Sequence, residues 1–220
     1  MIHAASRSAL AALRERLNDV LDTLPSSADG AGYKSLAAEL YWGADLLAAQ
    51  PRLRRTLGDP STDASSRAEL IGSLLTGKLG DPALQLVKAA VSQRWSSPWD
   101  LADAVEIIAD ETLLVAAEKQ GKLDDVEDEL FRFERILGNS GELAAALDEA
   151  GVPAQRRRAL LDSVLNGKVS PITAELLGHA VSSGRKRSLL LAIDDLLEAS
   201  AARRARSVAR VISATELTLE

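Results

Sequence analysis

Sliding the chain along itself by 90 positions brings its two halves into register, which limits what it can fold into more than any other feature. Glu39-Leu40-Tyr41 falls on Glu129-Leu130-Phe131, and Leu47, Leu53 and Leu57 fall on Leu137, Leu143 and Leu147. Arg67, Leu70, Ser73, Leu75, Gly77 and Lys78 match Arg157, Leu160, Ser163, Leu165, Gly167 and Lys168. Leu86 and Ala90-Val91-Ser92 match Leu176 and Ala180-Val181-Ser182. Any two helices rich in Leu and Ala can be aligned along their apolar faces. Such an alignment does not also superimpose helix ends, as Gly77-Lys78 and Gly167-Lys168 do. The pattern reads as a tandem duplication of one helical unit. Its period exceeds the roughly 20–50 residues of solenoid repeats, so each copy is a small bundle rather than a single hairpin.

The residues that fill these stripes are Ala, Leu and Val, with only 3% aromatic residues among 46% hydrophobic ones. Ala and Leu favour helix, whereas strands draw on aromatic and β-branched residues. The expected fold class is therefore all-α: two tandem related helical bundles of about five to six helices each, sharing a long connecting helix. Helices are expected over 4–24, 33–49, 51–57, 65–75 and from Pro98 to Gly121, then 124–137, 142–147, 154–165, 171–182 and 186–204. Asp81-Pro82, Ser97-Pro98 and Ser170-Pro171 each set a capping side chain before a proline at the first helical position. The character changes only at Ser207–Ser213, where β-branched residues crowd together and a short strand is expected. The domain reading is residues 1–104 for the first bundle, 105–206 for the second, and 207–220 for the start of a further, truncated domain.

Several functions are disfavoured. The chain has no cysteine, so disulfides and thiolate chemistry are absent, and a net charge of −6 does not suit nucleic-acid binding. Apolar runs such as Leu189–Ile193 are far shorter than the ~20 residues a membrane-spanning helix needs. The first residues lack the pattern of a signal peptide, which points to a cytoplasmic chain. Gly72-Ser-Leu-Leu-Thr-Gly77-Lys78 fits part of a phosphate-binding loop, but Leu79 stands where a hydroxyl should hold magnesium and no strand precedes it. A helix end explains these residues better. His3 and His179 have no second metal ligand nearby in sequence. The acidic run Asp124–Glu129 begins a helix, where carboxylates suit the macrodipole, and its members point in different directions. Arg203-Arg204-Ala205-Arg206 reads as an ordinary basic last turn, and Trp95 and Trp99 as packing residues. No catalytic, cofactor or metal site is expected.

The second unit and its exit carry a resemblance. Asn166-Gly167-Lys168-Val169-Ser170-Pro171 leads into Leu176-Leu177, then Ser183-Gly184-Arg185 and a helix ending near Arg206. Val208-Ala209-Arg210-Val211-Ile212-Ser213-Ala214-Thr215-Glu216-Leu217-Thr218 follows. From about Ile107 to Thr218 this order resembles the delta subunit of bacterial F-type ATP synthases, the counterpart of the mitochondrial oligomycin-sensitivity-conferring protein. Gln93-Arg94-Trp95-Ser96 and the run Leu123–Phe133 are similar to stretches of the long actinobacterial form, which carries an extra helical segment. Members of the family continue into a domain of paired strands with a Gly-Gly…Gly-Asp…Asp-Gly-Ser signature. That signature is missing from the sequence, which reads as a truncation.

The resemblance implies a non-catalytic stator subunit, at the inner face of the cell membrane, that ties the peripheral stalk to the alpha/beta hexamer. It implies a groove for alpha-subunit N-terminal helices between the first and fifth helices of the bundle, here 107–118 and 171–182. Ile108, Leu114, Leu177 and Val181 are the groove candidates, with Arg185 beside them. The b subunit of the stalk would be held through the missing C-terminal domain; no nucleic acid and no direct membrane insertion are implied. The alternative is a general helical adaptor unrelated to the synthase.

Overall fold

The structure, a computed structural model, describes residues 3–25, 30–183 and 188–216, with side-chain surroundings described as far as residue 205, Ala5 excepted. After a 3-10 turn at Ala4–Ser6, the described residues form eleven α-helices. The first five are α1 (Arg7–Thr23), α2 (Ala31–Ala49), α3 (Pro51–Gly58), α4 (Ala64–Leu75) and α5 (Asp81–Ser92). The long α6 runs over Pro98–Lys119. Then come α7 (Leu123–Asn139), α8 (Gly141–Asp148), α9 (Ala154–Leu165), α10 (Pro171–Ser182) and α11 (Leu189–Glu216). The all-α expectation holds. The chain divides into two compact units, Met1–Ala116 and Ala117–Glu220.

The helix ends repeat as the sequence does. α3 and α8, α4 and α9, and α5 and α10 each begin and end 90 residues apart. Local chemistry fixes these ends. Gly77 and Gly167 both take positive φ, 77° and 66°, where a side chain is disfavoured, and so turn the chain out of α4 and α9. Asp63 caps α4 by accepting from the N–H groups of Ser65 and Ser66, and Ser170 caps α10 by accepting from Thr173 N at 3.2 Å. At α5 the expected arrangement shifts by one residue. Gly80 is the N-cap, and Asp81 lies inside the first turn, where its charge suits the helix N-terminus.

In the first unit α5 packs against α1, α2 and α4. Leu13, Leu17, Leu40, Leu47, Ile71 and Leu86 of these helices are fully buried, as is Leu57 of α3. Arg67, also buried, reaches from α4 to the end of α5. It donates to the carbonyls of Val91, Ser92 and Gln93, and to those of Asp59 and Thr62. Three of these belong to a helix C-terminus, whose last carbonyls have no partner within the helix and carry partial negative charge. Trp95 is buried and donates to Ala90 O at 2.8 Å, and the Arg54 guanidinium lies 3.5 Å from the Trp99 ring centroid. Both tryptophans pack, as their sequence context suggests.

In the second unit α9 packs on α8 and α10, and α11 packs on α7, α8 and α10. Val126, Leu130, Leu147, Leu161, Leu176, Leu177 and Ile193 are fully buried there. The strand expected at Ser207–Ser213 does not form: α11 continues through it to Glu216. A strand needs a neighbour for its backbone hydrogen bonds, and no strand is present among the described residues. A helix satisfies those groups within itself.

Candidate functional site

The helix that sequence places at the centre of the site, α10, is held by a carboxylate from α7. Both oxygens of Glu129 lie 2.9 Å from Ser170 N, and the Thr173 hydroxyl donates to the same carboxylate. The charge sits at the N-terminus of α10, where exposed N–H groups and the macrodipole favour an anion. In the first unit Glu39 accepts from Gly80 N at 2.6 Å at the start of α5. The two glutamates are the pair that opens the sequence repeat. The acidic run of α7 is therefore shared among different tasks. Glu129 anchors α10, Glu127 accepts from Ser200 at 3.2 Å and lies 3.0 Å from Arg204, and Asp128 pairs with Arg132. Arg203 pairs with Glu118, so the basic end of α11 already has acidic partners inside this unit.

α10 is apolar around most of its circumference. Ile172, Leu176, Leu177, Gly178 and Val181 are buried, and so is His179. Burial lowers His179 from 6.5 to about 4, aided by the Arg158 charge, and keeps the ring neutral. Leu177 is 0% exposed and Val181 2%, and on α6 Ile108 and Leu114 are 0% exposed. These four side chains are taken into the chain's own interior. Ile108 and Leu114 belong to the first unit, Leu177 and Val181 to the second. Arg185 lies outside the described residues. Ala174 is half-buried and lies on the same side of α10 as Leu177 and Val181.

The remaining motifs resolve structurally. Gly72 lies inside α4 with Lys88 packed over it, and Gly77 begins the turn in which Lys78 N and Leu79 N donate to Leu75 O. This is a helix end and not a phosphate cradle. His3 Nδ1 lies 2.7 Å from Asp100 Oδ1, and the Ser6 and Ser96 hydroxyls donate to Asp100 Oδ2. Burial by itself would raise the Asp100 carboxyl, but these hydrogen bonds hold it below its ordinary value. No group of three potential metal ligands gathers among the described residues. No described helix is long and apolar enough to cross a membrane.

Sequence reasoning overlooked the large apolar side chains left in solvent. Trp42, Leu70 and Leu74 are exposed in the first unit, and Phe131, Ile136 and Leu191 in the second. The signal was available on α7: Phe131 and Ile136 lie off the buried stripe Leu123, Val126, Leu130, Phe133 and Leu137.

Comparison with known proteins agrees with this helical frame. Residues 108–220 match the family model for the ATP synthase delta (OSCP) subunit. A protein of Streptomyces griseus named ATP synthase subunit delta is 44% identical over 99% of this chain and 78% of its own length. Proteins of the same name are 40% identical in Frankia alni, over 100% of this chain and 79% of the relative, and 39% identical in Salinispora tropica, over 92% and 74%. Similarity of this depth runs through both helical units, and by it the chain belongs to the ATP synthase delta (OSCP) family of structural, non-catalytic subunits of the peripheral stalk.

Proposed function

We propose that this chain tethers the stator of an F-type ATP synthase to its alpha/beta hexamer by binding N-terminal helices of the alpha subunits. The observation that carries this reading is the similarity of nearly the whole chain to actinobacterial delta subunits. The role is mechanical: the tether resists rotor torque, so that rotation drives nucleotide exchange in the hexamer. It works on the cytoplasmic side of the membrane, with the b subunit of the peripheral stalk as its second partner. Within the second unit the helix-binding face runs along α10, with Leu177 and Val181 as its floor.

The two units are products of duplication. Matching helix ends, paired left-handed glycines and the Glu39 and Glu129 anchors at the same offset support this reading.

The test is calorimetric titration of the chain with a synthetic peptide of the alpha-subunit N-terminal helix from the same organism. Saturable binding, weakened by Ala174→Arg with circular dichroism unchanged, is expected. Absence of binding at high peptide concentration overturns the reading.

A further inference from the structure

Positions that the first unit buries are open in the second. Tyr41 and Leu101 are 4% and 0% exposed, whereas the residues 90 positions on, Phe131 and Leu191, are 52% and 61% exposed. All four are large and apolar. Between them the residue type changes: Ala44 and Ala104, both buried, correspond to Glu134 and Asp194.

These four residues of the second unit share one seam. α7 and α11 pack together, and they run antiparallel, because Glu127 meets Ser200 and Arg204 while Glu134 meets Asp194 further along. Phe131 lies on the α7 stripe between Glu127 and Glu134, and Leu191 lies one turn before Asp194 on α11. The seam therefore reads apolar, acidic pair, apolar, with the two apolar groups on opposite sides of the carboxyls. Three residues of rise on each side separate them by about 9 Å. Burial and the adjacent Asp194 raise the Glu134 carboxyl, which marks two like charges placed side by side. Along α11 the solvent face continues with Asp195 and Glu198, both exposed.

We propose that the α7–α11 seam is a second docking surface, distinct from α10, for a cationic amphipathic helix with a Lys or Arg flanked by large apolar residues about one turn to either side. The cation meets Glu134 and Asp194, and the two apolar side chains cover Phe131 and Leu191. Charge complementarity selects this occupant, since a neutral or acidic helix leaves the carboxyl pair facing apolar groups or like charge. The inference rests on the duplication reading only for the comparison with Tyr41 and Leu101; the seam itself stands on the second unit alone.

The test uses the whole chain and two labelled, stapled helical peptides that carry Leu at positions i and i+7. One has Lys at i+3 and i+4, and its partner has Glu at both. Fluorescence anisotropy is expected to show saturable binding of the Lys peptide, weakened about tenfold or more by Glu134→Lys or Leu191→Ser, and weakened by added salt. Both substitutions are at solvent-accessible sites, and circular dichroism verifies the fold. Equal binding of both peptides, or binding indifferent to both substitutions, overturns the proposal. The alpha-subunit peptide is titrated into the same variants. Retained alpha-peptide binding with loss of the Lys peptide supports two separate faces, while loss of both by Leu191→Ser assigns them to one and refutes a second surface.

Discussion

The Arg158 guanidinium lies against Gly178, in the space that a β-carbon there would occupy. Arg158 comes from α9 and also lies 3.2 Å from Asp162 and 3.8 Å from Glu175. In the first unit the same helix pair is closed the other way round. Lys88 of α5 lies over Gly72 of α4, and the positions of Lys88 and Gly72 are those of Gly178 and Asp162 in the second unit. One long basic side chain and one glycine are needed where the helices approach, and each unit supplies them from opposite helices. A swap of this kind changes surface charge while conserving the packing.

Gly178→Ala is expected to be close to neutral in the natural chain. The helix gains about 1 kcal/mol from losing a glycine, but the added carbon expels Arg158 from its seat. In an Arg158→Ala background the seat is empty and the same change stabilises by about 1 kcal/mol. Urea denaturation of the four proteins measures the coupling; the idea fails if Gly178→Ala has the same effect in both backgrounds.

Removal of the carboxylate by Glu129→Ala strips the start of α10 of its acceptor for Ser170 N and the Thr173 hydroxyl, and is expected to cost about 2 kcal/mol. Glu39→Ala removes one such bond, to Gly80 N, and costs about 1 kcal/mol. Hydrogen exchange localises the loss, with faster exchange at the first turn of α10 in the former variant and of α5 in the latter. No change in exchange at either turn would count against the anchoring role.

Arg67→Lys should be among the most damaging surface-neutral changes in the first unit. A lysine cannot spread its donors over the carbonyls of Asp59, Thr62, Val91, Ser92 and Gln93, and the buried end of α5 is left unpaired. The expected loss is about 3 kcal/mol. The matching Arg157→Lys is milder, since Arg157 makes a 3.4 Å contact to Leu147 O. Thermal melts of the two variants test this, and equal shifts would be inconsistent with it.

His179 gives the fold a dependence on pH. Its folded value, about 4, lies below the 6.5 of a free histidine. As pH falls the unfolded chain takes up the proton first, so this contribution to stability is full above pH 6.5, declines down to about pH 4, and is flat below. The total is about 3 kcal/mol. Asp100, whose folded value is lowered, acts in a separate and more acidic window: its stabilisation is present above the ordinary carboxylate range and lost as pH falls through the lower folded value. Replacement by His179→Gln is expected to flatten the profile between pH 6.5 and 4, measured by urea midpoints. An unchanged slope there would rule the assignment out.

Much of this architecture was legible in advance because its determinants are local. Gly77 and Gly167 end helices by tolerating positive φ, Pro98 and Pro171 begin them, and leucines at helical spacing define the stripes between. Glu129 was visible as a match to Glu39, but its role at the start of α10 was not, because Ser170 lies 41 residues away along the chain. Leu177 and Val181 are legible as apolar residues of α10, yet hydrophobicity does not separate the interior of a stripe from a face offered to a partner.

Capping, periodicity and propensity act within a few residues, so the order of amino acids is enough to make this chain helical, to set where most helices begin and end, and to give its two halves one pattern. Exposure and long-range pairing depend on contacts far apart in the chain. Tyr41 and Phe131 occupy matching positions with similar side chains, yet one is buried and donates to Asp110 at 2.6 Å while the other stands in solvent. Residues 207–213 favour a strand by composition, yet continue α11. Exposure is a property of what surrounds a residue, and a strand requires a neighbour whose hydrogen bonds lie outside the segment. A helix carries its hydrogen bonds within itself.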